Sequence, residues 1–145
     1  EEYLVQLTPQ AEQQLRAIVH HISHELLEPA TAAALLSALE QAMASLHILP
    51  QRTTLVEEEP WHTQGIRKLL CRNFLIYFWV DTSAYRVQIL AVVYARRDQL
   101  KQLRNITAFL KTQTSPGHDA VQAVSGAGLF IIYFFFRLAV LVTAL

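Results

Sequence analysis

The sequence is short of cysteine and glycine, and both shortages exclude classes of protein. Its 145 residues include one cysteine and four glycines. The single cysteine, Cys71, cannot form an internal disulfide framework, which fits a reducing compartment, and we interpret it as a small strand residue rather than a nucleophile. Neither a GxSxG turn nor a phosphate-binding glycine loop occurs, so serine hydrolysis has little support. The N-terminal segment has no long apolar run, and we expect no signal peptide and a cytoplasmic protein.

A formal net charge of zero hides a separation of charge along the chain. Residues 1–60 carry nine carboxylates and two cations, whereas residues 61–104 carry eight cations and two carboxylates. The first part has a helical pattern and the second part is strand-like. This asymmetry indicates an anionic partner for the basic part of the chain.

The spacing of the apolar residues predicts one α+β domain with the element order β-α-α-β-β-β. Pro9 and Pro29 stand at helix starts, and Pro50 marks the end of the second helix. The short connection between the helices indicates an antiparallel helical hairpin, against which we expect an antiparallel sheet to pack. The predicted strands are residues 3–7, 66–72, 74–80 and 85–94, and a polar, solvated loop with an acidic triplet is predicted at 51–64.

A short helix is predicted from residue 98 to about residue 111. We divide the chain into a domain at 1–104, a short helix and linker at 105–125, and a hydrophobic tail at 126–145. The tail reaches the roughly 20 residues that span a bilayer, and its apolar residues outweigh Arg137, which costs about 2.5–3.5 kcal/mol in mid-membrane. Three interpretations of this tail compete: a membrane anchor, a segment that is buried against a partner, and a non-functional extension of the reading frame. We favour the extension, and membrane contact is less favoured.

The strand at 74–80 is apolar almost throughout, which is typical of a central strand that is buried on both faces. The helical hairpin covers one face of the sheet. A short domain has little left to cover the other face, so we predict that a partner chain lies across it.

A group of cations is the strongest candidate for a functional site. In a simple meander the ends of neighbouring strands meet, so cations placed there attract phosphate and stabilise charge on a phosphodiester. Two other uses fit equally well: protection of a strand edge, or pairing with an acidic segment of a protein partner. Tyr94 is a candidate for stacking on a base or for proton transfer. The cations are Arg67, Lys68, Arg72, Arg96 and Arg97.

Two histidines of the first helix, His20 and His24, share a helix face and have the spacing of metal ligands. However, Glu25 follows the second histidine, so the HExxH order of zinc hydrolases is absent. A solvated helix face is the favoured interpretation. We therefore expect no metal site and no cofactor.

Four segments, in their order and spacing, resemble the RelE/ParE superfamily of bacterial type II toxins: YLVQLTPQAEQQLRAIVHHI, SLHILP, GIRKLLCRNFLIYFWVD and VQILAVVYARRD. The resemblance covers roughly residues 3–104, and the Arg96-Arg97-Asp98 ending is closer to ParE-like, plasmid-stabilisation members. It implies a compact α+β toxin domain that is held inactive by a small antitoxin. RelE-like members cleave mRNA on the ribosome, whereas ParE-like members poison DNA gyrase.

The ribonuclease residues of RelE-like members carry over only in part. The resemblance matches Arg97 and Lys68 to basic positions that those members use, but Leu75 stands where they commonly have an arginine. Leu103 lies near the position at which the ribonuclease members have a catalytic tyrosine, so Tyr94 would have to serve as the acid or base in its place. We therefore predict a toxin that binds a protein target, with gyrase the leading candidate. The alternatives are a ribosome-dependent mRNA endoribonuclease and an inactive relic.

Overall fold

The computed structural model describes residues 2–113 of the chain, with side chains as far as residue 108. Within this range three α-helices pack against a single five-stranded sheet. The elements in chain order are β1 (Leu4–Leu7), α1 (Pro9–His20), α2 (Pro29–Ala44), β2 (Thr54–Leu55), β3 (Ile66–Cys71), β4 (Phe74–Asp81), β5 (Arg86–Tyr94) and α3 (Gln99–Gln113).

Helix α1 begins at a cap that also ties it to the sheet. The Thr8 hydroxyl accepts a hydrogen bond from the backbone N–H of Ala11 at 3.3 Å, and Pro9 stands in the first turn, where no N–H is needed. The same hydroxyl donates to the carbonyl of Ile89 at 2.9 Å. Beyond α1 the chain makes a π-helical turn, His21–Glu25, and then enters α2. The two helices form the predicted hairpin.

The sheet has the strand order β1-β5-β4-β3-β2. Strands β2 to β5 pair antiparallel, whereas β1 runs parallel to β5, with Leu4 opposite Arg86. The α+β class is therefore confirmed, but the sheet is mixed rather than wholly antiparallel. A parallel pair needs a long connection, and the helical hairpin and the three strands between β1 and β5 supply it.

A strand lies inside the segment that the sequence predicts to be a loop. Thr54 and Leu55 form β2 and pair with Lys68 and Arg67 of β3. The prediction of a loop at 51–64 is wrong for these two positions. A strand of two residues has no alternating pattern, so nothing in the periodicity could indicate it.

A β-bulge lies between β4 and β5. Tyr77 is opposite Ala91 and Phe78 is opposite Ile89, so Leu90 is an extra residue on β5. The bulge makes Leu90 and Ala91, which are neighbours in sequence, belong to the same buried cluster. It therefore changes which side chains of β5 face each side of the sheet.

The sheet separates two apolar clusters. The side packed against α1 and α2 is called the hairpin side, and the opposite side is called the α3 side. Fully buried residues on the hairpin side include Leu15, Leu39, Ile76, Phe78 and Ile89. Fully or almost fully buried residues on the α3 side include Val56, Trp61, Tyr77, Leu90, Leu103 and Ile106.

The prediction that one face of the sheet is left bare is wrong. Leu103 and Ile106 of α3 pack on this face with exposed fractions of 0% and 1%, and Tyr77 beneath them is also at 0%. Val56 and Trp61, from the segment between β2 and β3, belong to the same buried cluster and cover another part of this face. Because this segment covers part of the face, two apolar side chains of α3 are enough to bury the rest of it.

No helix between residues 2 and 113 is long and apolar enough to cross a bilayer. The hydrophobic tail predicted at 126–145 lies outside the described residues, as does the linker from residue 114 onward. Helix α3 is continuous across residues 104 and 105. The division of the chain into three parts stays a prediction.

Candidate functional site

Three of the predicted cations lie at one end of the sheet, which is called the basic end and consists of Arg72, Arg96 and Arg97. Arg72 occupies the turn between β3 and β4 with a φ of 53°, and the other two follow β5. The backbone N–H of Ala95 donates to the carbonyl of Asn73 at 2.8 Å, which joins the two segments. All three arginines are exposed. The basic end therefore presents three guanidinium groups that can bind carboxylates or phosphates.

Tyr94 closes β5 just before the basic end, but its ring faces the hairpin side. It is directly opposite Phe74, and the two ring centroids are 5.6 Å apart at a tilt of 60°. Phe74 in turn packs against the cluster beneath the helical hairpin. The tyrosine is half-buried, and its aromatic contact fits a packing role for the ring.

Arg67 and Lys68 lie away from the basic end and on opposite sides of the sheet. Successive strand residues alternate in direction, and Ile66 belongs to the α3 side, whereas Leu69 belongs to the hairpin side. Lys68 is therefore on the α3 side, opposite Tyr77. About four strand steps, or roughly 13 Å, separate Lys68 from the turn that carries the basic end.

The Arg67 guanidinium is used within the fold. Its Nη1 donates to the carbonyls of Gln51 and Thr53 at 3.0 and 2.5 Å. These bonds hold the segment that leads into β2 against β3. The structure thus gathers Arg72, Arg96 and Arg97, and it does not bring Arg67 or Lys68 to the same end.

A buried tyrosine and a loop carboxylate are polar features that the sequence does not reveal. Tyr77 has an exposed fraction of 0%, and burial raises its pKa to about 12, with a further contribution from the nearby Glu58. The Tyr77 hydroxyl and Glu58 Oε2 are both buried, without a hydrogen-bond partner among residues 2–113. The strand pattern treats Tyr77 as one more aromatic residue, so no sequence signal distinguishes it.

The acidic triplet lies outside the helices and strands, with Glu57 and Glu59 exposed, as the prediction of a solvated loop requires. The Glu59 carboxylate accepts hydrogen bonds from the backbone N–H and the hydroxyl of Thr63, which lower the pKa of that carboxyl. The indole N–H of Trp61 donates to the Thr107 hydroxyl at 2.6 Å and so joins this segment to α3. Hydrogen bonds therefore order this part of the predicted loop, while the side chains of Glu57 and Glu59 stay exposed.

His20 is the last residue of α1, His24 lies in the π-helical turn that follows it, and Cys71 is the last residue of β3. The rings of His20 and His24 are exposed and stack with centroids 4.5 Å apart, and His21 pairs with Glu25 at 2.5 Å. Among residues 2–113 no three potential ligands of the His, Cys, Asp and Glu types are grouped to hold a metal ion. The half-buried Cys71 donates weakly to the Ala38 carbonyl at 3.5 Å, as expected for a small strand residue.

Comparison with known proteins gives one matching family and several similar solved structures. The model of the family described as ParE toxin of type II toxin-antitoxin system, parDE, matches residues 5–99. A chain of the chromosomal ParDE TA system from P. aeruginosa is 21% identical with a TM-score of 0.55, covering 66% of this chain and 98% of that one. A chain of the toxin-antitoxin complex RelBE2 from Mycobacterium tuberculosis is 21% identical with a TM-score of 0.47, covering 65% and 99%. None of the curated proteins matches the chain in sequence.

Proposed function

Because the chain belongs to the ParE toxin family of type II toxin-antitoxin systems, we propose that it inhibits growth by binding a protein target, with DNA gyrase as the leading candidate. In this proposal a cognate antitoxin neutralises the toxin. Binding and not bond cleavage is the mode of action, and neither a metal nor a cofactor takes part.

The separation of Lys68 from Tyr94 carries this proposal. Ribonucleolytic cleavage needs an acid or base and a charge stabiliser beside the same phosphodiester. Lys68 is on the α3 side of the sheet, whereas the Tyr94 ring packs on Phe74 on the hairpin side. The two candidate groups are therefore divided by the sheet itself. This arrangement supports a toxin that does not cut RNA.

The two leucines at expected catalytic positions add support. Leu75 and Leu103 have exposed fractions of 7% and 0%, and both belong to the apolar cluster on the α3 side. Polar catalytic groups at those positions would have to be buried beside Leu90 and Val93. Two of the four positions that the resemblance assigns to ribonuclease members are thus part of a packed core in this chain.

The basic end is the proposed contact surface for the target or the antitoxin. Its three exposed guanidinium groups are suited to carboxylate-rich surfaces, because arginine forms paired, charge-assisted hydrogen bonds with carboxylates. Charge complementarity of this kind raises association rates and selects partners. An acidic antitoxin segment bound at the same end would block the target by competition.

A direct test compares two activities of the purified full chain. We expect inhibition of gyrase supercoiling and no cleavage of ribosome-bound mRNA. The variant Arg96→Ala/Arg97→Ala should inhibit supercoiling at least about tenfold less well, since each lost 1.4 kcal/mol of binding is a factor of ten. Arg86→Ala is the matched control, because Arg86 lies at the other end of β5 and should retain inhibition.

Two results would refute the proposal. The first is mRNA cleavage at codon boundaries with supercoiling untouched, which would establish the endoribonuclease alternative. The second is full inhibition by the double variant, which would remove the basic end from the contact surface. Circular dichroism of each variant separates a lost contact from a lost fold.

The antitoxin is tested in the cell. We expect the full chain to stop growth when it is expressed alone, and a small acidic-tailed protein encoded beside it to restore growth. Growth that is unaffected by the chain alone would favour the inactive relic.

A further inference from the structure

Three large apolar side chains are exposed at the end of the sheet opposite the basic end. This group is called the apolar end, and its exposed fractions are 49% for Ile48, 67% for Leu49 and 44% for Tyr85. Tyr3 connects its members, because the Tyr3 ring centroid lies 5.5 Å from that of Tyr85 and the Tyr3 backbone N–H donates to the carbonyl of His47. Exposed apolar side chains that are grouped in this way mark a site of interaction.

The backbone at two of these positions has a left-handed conformation. The angle φ is 47° at Leu49 and 50° at Tyr85. Glycine and asparagine adopt this conformation at a lower cost than a bulky side chain does. Two thirds of the Leu49 side chain is exposed, so its packing within residues 2–113 offsets little of this strain. Backbone strain of this kind persists where a functional requirement fixes the residue.

Arg52 holds the strained turn in place. Its guanidinium donates to the carbonyls of Ser45, Ile48 and Leu49 at 3.3, 2.7 and 3.2 Å. It also donates to the Ser45 hydroxyl at 3.0 Å. The backbone that carries Leu49 is therefore fixed before a partner binds. A contact that is ordered in advance loses less conformational entropy on binding.

The apolar end offers a partner little charge. The Arg52 guanidinium is bonded to backbone carbonyls, and Glu2, which forms a β-bridge with Ile48, is the carboxylate beside it. Arg86 follows Tyr85 in sequence, but the alternation of β5 places its side chain on the α3 side of the sheet. An apolar pocket on a folded protein therefore fits this surface better than an acidic segment does.

We propose that the apolar end is a second contact surface for the protein target, and that Leu49 is the anchor that enters an apolar pocket of that target. This inference rests on the proposed function, which supplies the target. The nine residues of β5 place the apolar end roughly 30 Å from the basic end. An interface of standard size, with about 800 Å² on each partner, can span this distance. A buried aliphatic or aromatic anchor is the usual centre of such an interface.

The variant Leu49→Asn removes the anchor without a cost to the fold. Asparagine tolerates a left-handed backbone, so we expect the urea midpoint of the variant to equal or exceed that of the wild type. Inhibition of growth and of gyrase supercoiling by the full chain should weaken at least about tenfold. Leu27→Asn is the matched control, because Leu27 also has a positive φ, of 54°, and is 79% exposed, but lies at the tip of the helical hairpin. This control should retain full inhibition.

Three results would overturn the proposal. The first is full inhibition by a folded Leu49→Asn protein. The second is an equal loss of inhibition in the Leu27→Asn protein, because the effect would then come from the exposed leucines in general. The third is a change from dimer to monomer on Leu49→Asn in sedimentation of the full chain, which would assign the apolar end to a second copy.

The proposed function and this inference fail in different ways. Growth arrest by the wild type without inhibition of supercoiling would refute gyrase as the target, and growth arrest would then measure the effect of Leu49→Asn. Inhibition of supercoiling to the same extent by the wild type and Leu49→Asn would refute this inference alone. A wild-type chain with neither activity would refute both.

Discussion

Replacement of Glu40 by glutamine is expected to stabilise the protein at neutral and alkaline pH and to change little in acid. Glu40 lies on α2, and the helix repeat places it next to Leu36 and Met43, which are both buried. Burial raises the pKa of the Glu40 carboxyl from 4.5 to about 7. The folded protein therefore binds a proton at this position more tightly than the unfolded chain does.

The sign and the size of the effect follow from this difference. Between pH 4.5 and about 7 the folded state holds more protons than the unfolded state, so stability is lost as the pH rises through this range. At 1.36 kcal/mol per pKa unit, a fully buried carboxyl would lose about 3 kcal/mol. Because Glu40 is partly exposed, solvent screening reduces the expected loss to about 1–2 kcal/mol.

Urea denaturation of the two proteins measures this loss. Glutamine is uncharged at every pH and has nearly the helix propensity of glutamate, so Glu40→Gln removes the charge without a cost to α2. We expect the variant to be more stable by about 1–2 kcal/mol at pH 8 and equal to the wild type near pH 4.5. Glu57→Gln, which changes an exposed carboxylate, should stay within about 0.5 kcal/mol at both values.

One result would refute the reasoning. If Glu40→Gln has the same stability as the wild type at pH 8, or is less stable, the ionised carboxylate is not destabilised by its surroundings. A gain of equal size at both pH values would mean that the effect comes from packing and not from charge.

Two further predictions concern the hydrogen bonds that join distant parts of the chain. Thr8→Ala removes the cap of α1 and the bond to Ile89, so the free energy of unfolding should fall by about 1–2 kcal/mol in urea titrations, whereas Thr8→Ser should retain most of it. Arg67→Lys breaks the paired bonds to Gln51 and Thr53, so amide exchange in β2 should accelerate while growth inhibition is unchanged. Loss of growth inhibition by a folded Arg67→Lys protein would instead place this side chain in the contact surface.

The sequence predicts the helices and the longer strands because their patterns are strong. Thr8-Pro9 and Pro29 mark the two helix starts correctly, and the apolar run from Phe74 predicts the central strand. The direction of β1 could not be predicted, because a four-residue strand carries no information about which neighbour it joins. The bulge at Leu90 also has no local pattern, since it depends on the register between two strands.

The positions of the candidate site residues are predicted only in part by the sequence. The backbone hydrogen bond from Ala95 to Asn73 puts the segments that carry Arg72, Arg96 and Arg97 at one end of the sheet, and their role as a binding surface stays a prediction. The sequence places Arg67 and Lys68 in the same group, but the alternation of the strand sends them to opposite sides. The alternation of strand residues could have indicated this separation. The burial of the sheet face on the α3 side could not be predicted, because it depends on the tertiary packing of α3.

The parallel pairing of β1 with β5 has a consequence for synthesis of the chain. Thr8 and Ile89 are bonded although they are 81 positions apart, so the edge of the sheet forms only after almost the whole matched core has been made. Contacts between such distant positions slow folding, because a long loop must close first. The nascent chain on the ribosome therefore stays incompletely folded until its last strand has emerged, which leaves an interval between the start of translation and completion of the sheet.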